Sequence, residues 1–282
     1  MNKDAEHKRL QTLNIGVIGL GRMSGAILQG VLRAGVSPSQ CWAAGSSGER
    51  AMALTERYGI VCVGPAGYGK RLAETDVLIL GVKPHVMPGV LDTLQDVIHK
   101  FGLKPNALII SIAAGVTLAS IERVLETTAV LRAMPNTPAL IGEGLTALSA
   151  NTHVTPAQKI IAESIFASVG QSLWVPEAQL NAFTGLFGSG PAYVMLMMEA
   201  LAEAGLAQGL THEVVWQGVP QLFKGSALLL QERGLHPAVL KNEVITPQGT
   251  TIAGLQALEA HGVRHALAEA VKAATRRAES LS

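Results

Sequence analysis

Six residues, Thr246-Pro247-Gln248-Gly249-Thr250-Thr251, separate two helical patterns with a proline, a glycine and three hydroxyls. A loop of this kind entering a helix presents backbone N–H groups that have no partner inside the helix, and such groups suit a carboxylate. The Thr251 hydroxyl can donate to, or accept from, whatever sits beside that carboxylate. The residue types leave two readings standing: a site for a small acid, or a helix stop followed by an N-cap.

A second candidate lies near the N-terminus. Gly19-Leu20-Gly21-Arg22-Met23-Ser24 closes an apolar run, Ile15–Ile18, and opens a helical pattern. One glycine suits a tight turn, another lets the backbone approach a pyrophosphate, and the helix start supplies N–H donors and positive potential. Ser24 stands where a third Gly or Ala is usual and is still small enough for close helix–strand packing. The second apolar run ends Ala44-Gly45-Ser46-Ser47-Gly48-Glu49-Arg50. An NAD site usually places Asp or Glu about 20 residues after the glycines, on the ribose hydroxyl, and no acid ends this strand. Ser46 and Ser47 can bond a 2′-phosphate instead, which favours NADPH and leaves NADH open. Arg50 either adds charge there or is a solvated helix residue.

These candidates need a frame. Short apolar runs recur at Ile15–Ile18, Cys41–Ala44, Ile60–Val63, Val77–Val82, Ala107–Ile112 and Ala129–Ala133, with amphipathic stretches such as Glu49–Tyr58, Met87–Lys100 and Leu118–Leu125 between several of them. Strand–helix alternation of this kind predicts an α/β domain, a Rossmann-like, mostly parallel sheet with helices on both faces. A helix from Pro156 to Val169 then leads to a last strand, Leu173–Val175. From Glu177 onward only helical periodicity remains, broken at Gly188–Pro191, Gly209–Thr211, Gly234–Pro237 and Thr246–Gly249. The expected domains are 1–175, binding dinucleotide, and 176–282, all-helical. Val82-Lys83-Pro84 and Ser111-Ile112-Ala113-Ala114-Gly115 end the fourth and fifth strands, where ligands of open α/β sheets sit. The small side chains of Ala113 and Ala114, with Gly115, leave room for a nicotinamide ring.

Composition excludes several classes. A net charge of +1 gives no basic field to hold nucleic acid. The first thirteen residues are polar and lack a signal-like apolar core, and the apolar stretches are too short or too glycine-broken to span a bilayer. A cytoplasmic protein is expected. Cys41 and Cys62 show no metal spacing and read as reduced structural thiols, and no metal site is expected. Ala192–Met198 and Gly225–Leu230 are apolar almost all round, which predicts burial against another subunit.

Taken together, Leu240, Val244, Gly249, Thr251, Gly254 and Leu258 of the late loop, IGVIGLGRM (Ile15–Met23), GVKP (Gly81–Pro84), SIAAGV (Ser111–Val116), MPNTPALIGEG (Met134–Gly144) and GSGPAY (Gly188–Tyr193) resemble the pyrroline-5-carboxylate reductases over nearly the whole chain. The resemblance implies reduction of a cyclic imino acid to proline by NADPH. It also implies a homodimer interwoven through the helical domain, with further assembly of dimers left open. Lys83 and Pro84 would line the nicotinamide, Asn136-Thr137-Pro138 would contribute to the site, and Ser189 and Pro191 would border the substrate. Ser189 could equally serve as a helix cap. Gln248, Gly249 and Thr250 would offer N–H groups to the carboxylate, Thr246 would assist, and Thr251 would orient the ring nitrogen. Two departures stand out: Ile245 replaces a small or hydroxyl residue, and Gln248 replaces glycine. They leave a six-membered cyclic imine, or an NADP-binding protein without turnover, as alternatives.

The chemistry agrees with what the chain lacks. Between Lys159 and Lys224 there is no Lys or Arg, and His212 is the only histidine. Alcohol oxidation needs a proton acceptor at the hydroxyl. A protonated C=N is already a good electrophile and needs positioning above all.

Overall fold

A computed structural model describes residues 10–45, 48–64 and 69–281. Eight strands form one sheet: β1 (Ile15–Ile18), β2 (Cys41–Ala44), β3 (Val61–Val63), β4 (Val77–Leu80), β5 (Leu108–Ser111), β6 (Ala129–Met134), β7 (Gly144–Ala150) and β8 (Gly170–Trp174), in spatial order β3-β2-β1-β4-β5-β6-β7-β8. The first six run parallel, the doubly wound order expected for a dinucleotide fold. β1, β2, β4 and β5 are buried at every position. Continuous apolar runs such as IGVI and VLIL are what a sheet covered on both faces demands.

The helices of this half are α1 (Arg22–Arg33), α2 (Gly48–Tyr58), α3 (Gly69–Leu72), α4 (Met87–Phe101), α5 (Leu118–Glu122) and α6 (Pro156–Ala167). Two apolar clusters flank the sheet. One joins Ile15, Val17, Ile27, Leu28 and Phe166, and the other joins Ile18, Trp42, Leu80, Leu91 and Leu94. Gly16 serves this packing, because a Cβ there would fall 2.5 Å from Trp42 Cζ2. Trp42 also donates its indole N–H to Thr75 Oγ1 at 2.9 Å.

Most expected strands and helices form within a residue or two of their predicted ends. β8 begins at Gly170, three residues before the expected Leu173. α5 stops at Glu122, short of the expected Leu125. β7 went unforeseen. It pairs antiparallel with β6 and parallel with β8, and its sequence GLTALSA buries Thr146 and Ser149 beside its apolar residues. A strand buried on both faces but built from small and polar residues shows neither an apolar run nor alternation.

The rest is helical: α7 (Leu180–Phe183), a π-helical turn (Thr184–Gly188), α8 (Gly190–Ala207), α9 (His212–Arg233), α10 (Pro237–Glu243), α11 (Thr250–Ala260) and α12 (Val263–Glu279). The breaks at Gly209–Thr211, Gly234–Pro237 and Thr246–Gly249 fall between helices as expected. His261-Gly262 adds one more break. The chain forms two compact units, one running to Gly188 and resuming at Ala274, the other Ser189–Ala273. The first therefore extends past the expected 175/176 boundary, because Leu180 and Phe183 pack with Ala147 of β7.

Within Ser189–Ala273 only Ala202 and Val215 are buried apolar residues. They lie where Gly205 lets α8 close on α9, since a Cβ there would fall 2.8 Å from Val215 Cγ1. Met195 and Leu196 of the first all-apolar patch are 63% and 64% exposed, and Leu228 and Leu229 of the second are also exposed, as is Leu222. One chain thus leaves uncovered the surface whose burial the sequence predicts against a second copy. Leu196→Glu combined with Leu222→Glu is expected to convert the assembled protein to monomers in sedimentation velocity. Unchanged assembly would place the subunit contact elsewhere.

Candidate active site

The first candidate centre is the seam between β1 and β4, where the strand order reverses. Gly19 has φ +86, a left-handed conformation, and a Cβ on it would fall 2.6 Å from Val82 Cγ1. Gly81 is equally confined by Gly19 O and Ser24 Cβ, each 2.7 Å from where its Cβ would stand. Ser24, 1% exposed, holds the turn: its hydroxyl donates to Gly19 O at 2.7 Å and accepts the Gly21 N–H at 2.8 Å. The expected small residue under the turn is therefore also its fastener.

Gly21 precedes α1, and a Cβ there would meet nothing within 4 Å. That open space lies beside the N–H groups of Arg22 and Met23, which start the helix and have no partner in its ladder. A bare backbone, a helix start and an open face suit a pyrophosphate, so the residues fit a dinucleotide. Leu20 is buried, while Arg22 is exposed and leaves its charge available at that face.

Val82 and Lys83 follow β4 and lead into a short 3-10 turn, Pro84–Val86, with Lys83 exposed. Ala113 is buried, Ala114 half-buried, and Gly115 adopts φ +77 with no room for a Cβ beside Leu281 O. Pro84 and Gly115 line one cavity of about 530 Å³ with His85, Ser120, Arg123 and Leu281. The structure so brings the ends of β4 and β5 together. Ser46, Ser47 and the Arg50 side chain lie outside the described residues.

The second candidate centre, the late loop, is a tight turn. Thr246 O accepts the Gly249 N–H at 3.0 Å, with Pro247 and Gln248 between. Gln248 has φ 56 and is the one non-glycine residue among those described with positive φ. Proline at the second position and positive φ at the third are the marks of a type II turn, whose third position favours glycine. Gly249 is then the N-cap of α11, with no side-chain cap, and a Cβ on it would collide with Thr246 Oγ1. The turn consumes the Gly249 N–H expected to face a carboxylate. The N–H groups of Thr250 and Thr251, at the helix start, remain. Thr251 is half-buried in the first turn of α11.

Gly188-Ser189-Gly190-Pro191, expected as a break in the helical pattern, is no break of the chain's helical path. Gly188 ends the π-helical turn, Ser189 is already in right-handed helical geometry, and its side chain makes no capping bond. Pro191 sits in the first turn of α8, where its missing N–H costs nothing. π-Helical turns occur frequently at functional sites.

Asn136 was expected to contribute to the site only through the resemblance, and Arg132 and Glu177 were overlooked. Asn136 Oδ1 accepts the Leu145 N–H at 2.9 Å, and its Nδ2 donates to Phe187 O at 3.2 Å, fastening the π turn to the β6–β7 loop. Arg132, on β6, pairs with Glu177. A lone arginine in an otherwise apolar strand was the available signal, since a buried charge requires a partner. Burial pushes the Cys41 thiol up to about 12, which fits a structural role. Among the described residues no group of His, Cys, Asp or Glu could hold a metal ion, and no helix is long and apolar enough to cross a membrane.

The sheet order and glycine-lined seam define a doubly wound, dinucleotide-binding protein with an appended helical segment. Residues 14–115 match the family model described as NADP oxidoreductase, coenzyme F420-dependent, and residues 177–281 match pyrroline-5-carboxylate reductase dimerisation. A pyrroline-5-carboxylate reductase from Synechocystis is 41% identical over 96% of this chain and 98% of its own. A solved pyrroline-5-carboxylate reductase from Coxiella burnetii superposes with TM-score 0.87 at 35% identity, covering 96% of this chain and 99% of the other. The Plasmodium falciparum pyrroline carboxylate reductase, solved with NADP bound, gives 0.83 at 26%, covering 96% and 98%. The chain belongs to the pyrroline-5-carboxylate reductase family.

The left-handed backbone at Gln248 yields a stability prediction. Gln248→Gly relieves about 1–3 kcal/mol of strain and gives back about 0.5–1 kcal/mol to glycine's freedom when unfolded. A net gain of ~1 kcal/mol is expected in denaturant unfolding at matched concentration. A lower midpoint would contradict the strain assigned to this turn.

Proposed function

We propose that this chain reduces 1-pyrroline-5-carboxylate to L-proline, the last step of proline biosynthesis, with NADPH as reductant. NADPH, when bound, supplies the hydride for the imine carbon. The turn and helix start at Thr246–Thr251 carry the substrate side of the reading: two unpaired backbone donors stand beside two hydroxyls on a short, glycine-capped helix start.

The Thr250 and Thr251 N–H groups receive the substrate carboxylate, and the Thr246 hydroxyl assists. Gln248 and Gly249 shape the turn that aims these donors. The Thr251 hydroxyl bonds the ring nitrogen and orients it; a threonine is too weak an acid at neutral pH to carry more than that. Ser189 and Pro191, after the π turn, border the substrate. Leu20, Gly21, Arg22 and Met23 hold the pyrophosphate over the turn shaped by Gly19. Val82, Lys83, Pro84, Ala113, Ala114 and Gly115 flank the nicotinamide, and Ser46 and Ser47 bond the 2′-phosphate. The segment 176–282 joins two chains as a homodimer in the cytoplasm, and its exposed apolar surface leaves room for dimers to assemble further.

The departure at Gln248 does not redirect the substrate choice. Its backbone takes the left-handed conformation that glycine would supply, so the turn survives the replacement and the five-membered ring is favoured over a larger one.

Two measurements test this. Thr251→Val is expected to lower turnover with 1-pyrroline-5-carboxylate by about 10²-fold, within the usual range for losing a positioned polar group, while NADPH affinity stays within about twofold. Full activity in the variant would remove Thr251 from the mechanism. In the unaltered enzyme, absorbance at the NADPH band should fall faster with the five-membered imine than with a six-membered one, and faster with NADPH than with NADH. The reverse order for either pair would overturn that part of the assignment.

A further inference from the structure

We propose that Glu177 is a positioning residue for the Ser111–Val116 turn. A single oxygen, Glu177 Oε1, receives two donors at 2.7 Å each: Arg132 Nη1 and the backbone N–H of Leu118. Arg132 rises from the buried face of β6, and its side chain is 8% exposed. It cannot swing to solvent without leaving the core, so it fixes the carboxylate. Leu118 is the first residue of α5, and its N–H is one of the donors a helix start leaves over. Thr117 caps the same helix by accepting the Ser120 N–H, which leaves the Leu118 N–H for Glu177.

The consequence lies two residues upstream. The turn Ser111-Ile112-Ala113-Ala114-Gly115-Val116 is anchored at one end by β5 and at the other by α5. α5 has five residues, too few to hold its own start firmly. Glu177 supplies what the short helix lacks, a charge-assisted bond to a partner seated in the sheet. Glu177 is also the first residue of the segment that matches the dimerisation family. The start of that segment therefore grips the turn that flanks the nicotinamide. This inference rests on the reading of Ser111–Val116 as a cofactor turn.

The test uses the full-length enzyme at a temperature where each variant is folded by circular dichroism. NADPH dissociation constants are measured by fluorescence titration, alongside KM for NADPH, KM for the imino acid, and kcat. Glu177→Ala removes both bonds, and NADPH binding is expected to weaken about tenfold. Glu177→Gln keeps a neutral acceptor in the same place and is expected to weaken it only about threefold. In both variants the change should fall on NADPH and leave the imino acid KM unaltered, a split that a general loss of stability would not produce. Should the alanine variant fail to fold, the glutamine variant alone decides. NADPH affinity within about 1.5-fold of the parent in the folded variants overturns the proposal, as does an equal shift in both KM values. Ala114→Leu separates the two readings. If it weakens NADPH binding while the Glu177 variants do not, only the role of Glu177 fails. If it also leaves binding unchanged, the cofactor turn fails as well.

Discussion

Two loops lie against each other at the carboxyl ends of β1 and β4 only because neither carries a side chain where they meet. Gly19 and Gly81 stand at a separation that admits no Cβ on either, and Ser24 bonds the first loop from beneath. This seam sets the rest of the nucleotide-binding half. It fixes where α1 begins, keeps the space in front of Gly21 open, and aligns the ends of β4 and β5 with the same edge. Bulk at either glycine would force β1 and β4 apart and spoil the cradle without touching a ligand.

The helical half obeys a different constraint. α8 and α9 are long and carry large exposed apolar side chains, and the sequence from Ser189 to Ala273 has no core of its own beyond the crossing of these two helices. Residues 177–281 match a dimerisation family, and a second copy is what would cover this surface. The Thr246–Thr251 loop lies in this half. Its turn keeps a left-handed residue, Gln248, at some cost in strain.

Much of this was legible in the sequence where local chemistry decides the structure. The parallel strands announced themselves as apolar runs between amphipathic helices, and Gly19 and Gly21 marked the turn from β1 into α1. Gln248, standing where glycine is usual, adopts the left-handed backbone that glycine would supply. What the sequence hid was decided by distant partners. β7 is built of small and polar residues whose burial depends on β6 and β8. Ser189 resembles an N-cap, but the helical path is already set by the π turn before it. Glu177 acts through Arg132 and Leu118, which lie 45 and 59 positions away. Periodicity within a window cannot see such pairs.

The central claim is that hydride passes from NADPH to the imine carbon of 1-pyrroline-5-carboxylate. Deuterium at the nicotinamide C4 tests it directly, with the product analysed by mass spectrometry and nuclear magnetic resonance. The account predicts proline carrying one deuterium on the ring carbon that was double-bonded to nitrogen, remote from the carboxylate. Unlabelled proline from fully labelled reductant, or no proline at all from enzyme shown to bind NADPH, would contradict it.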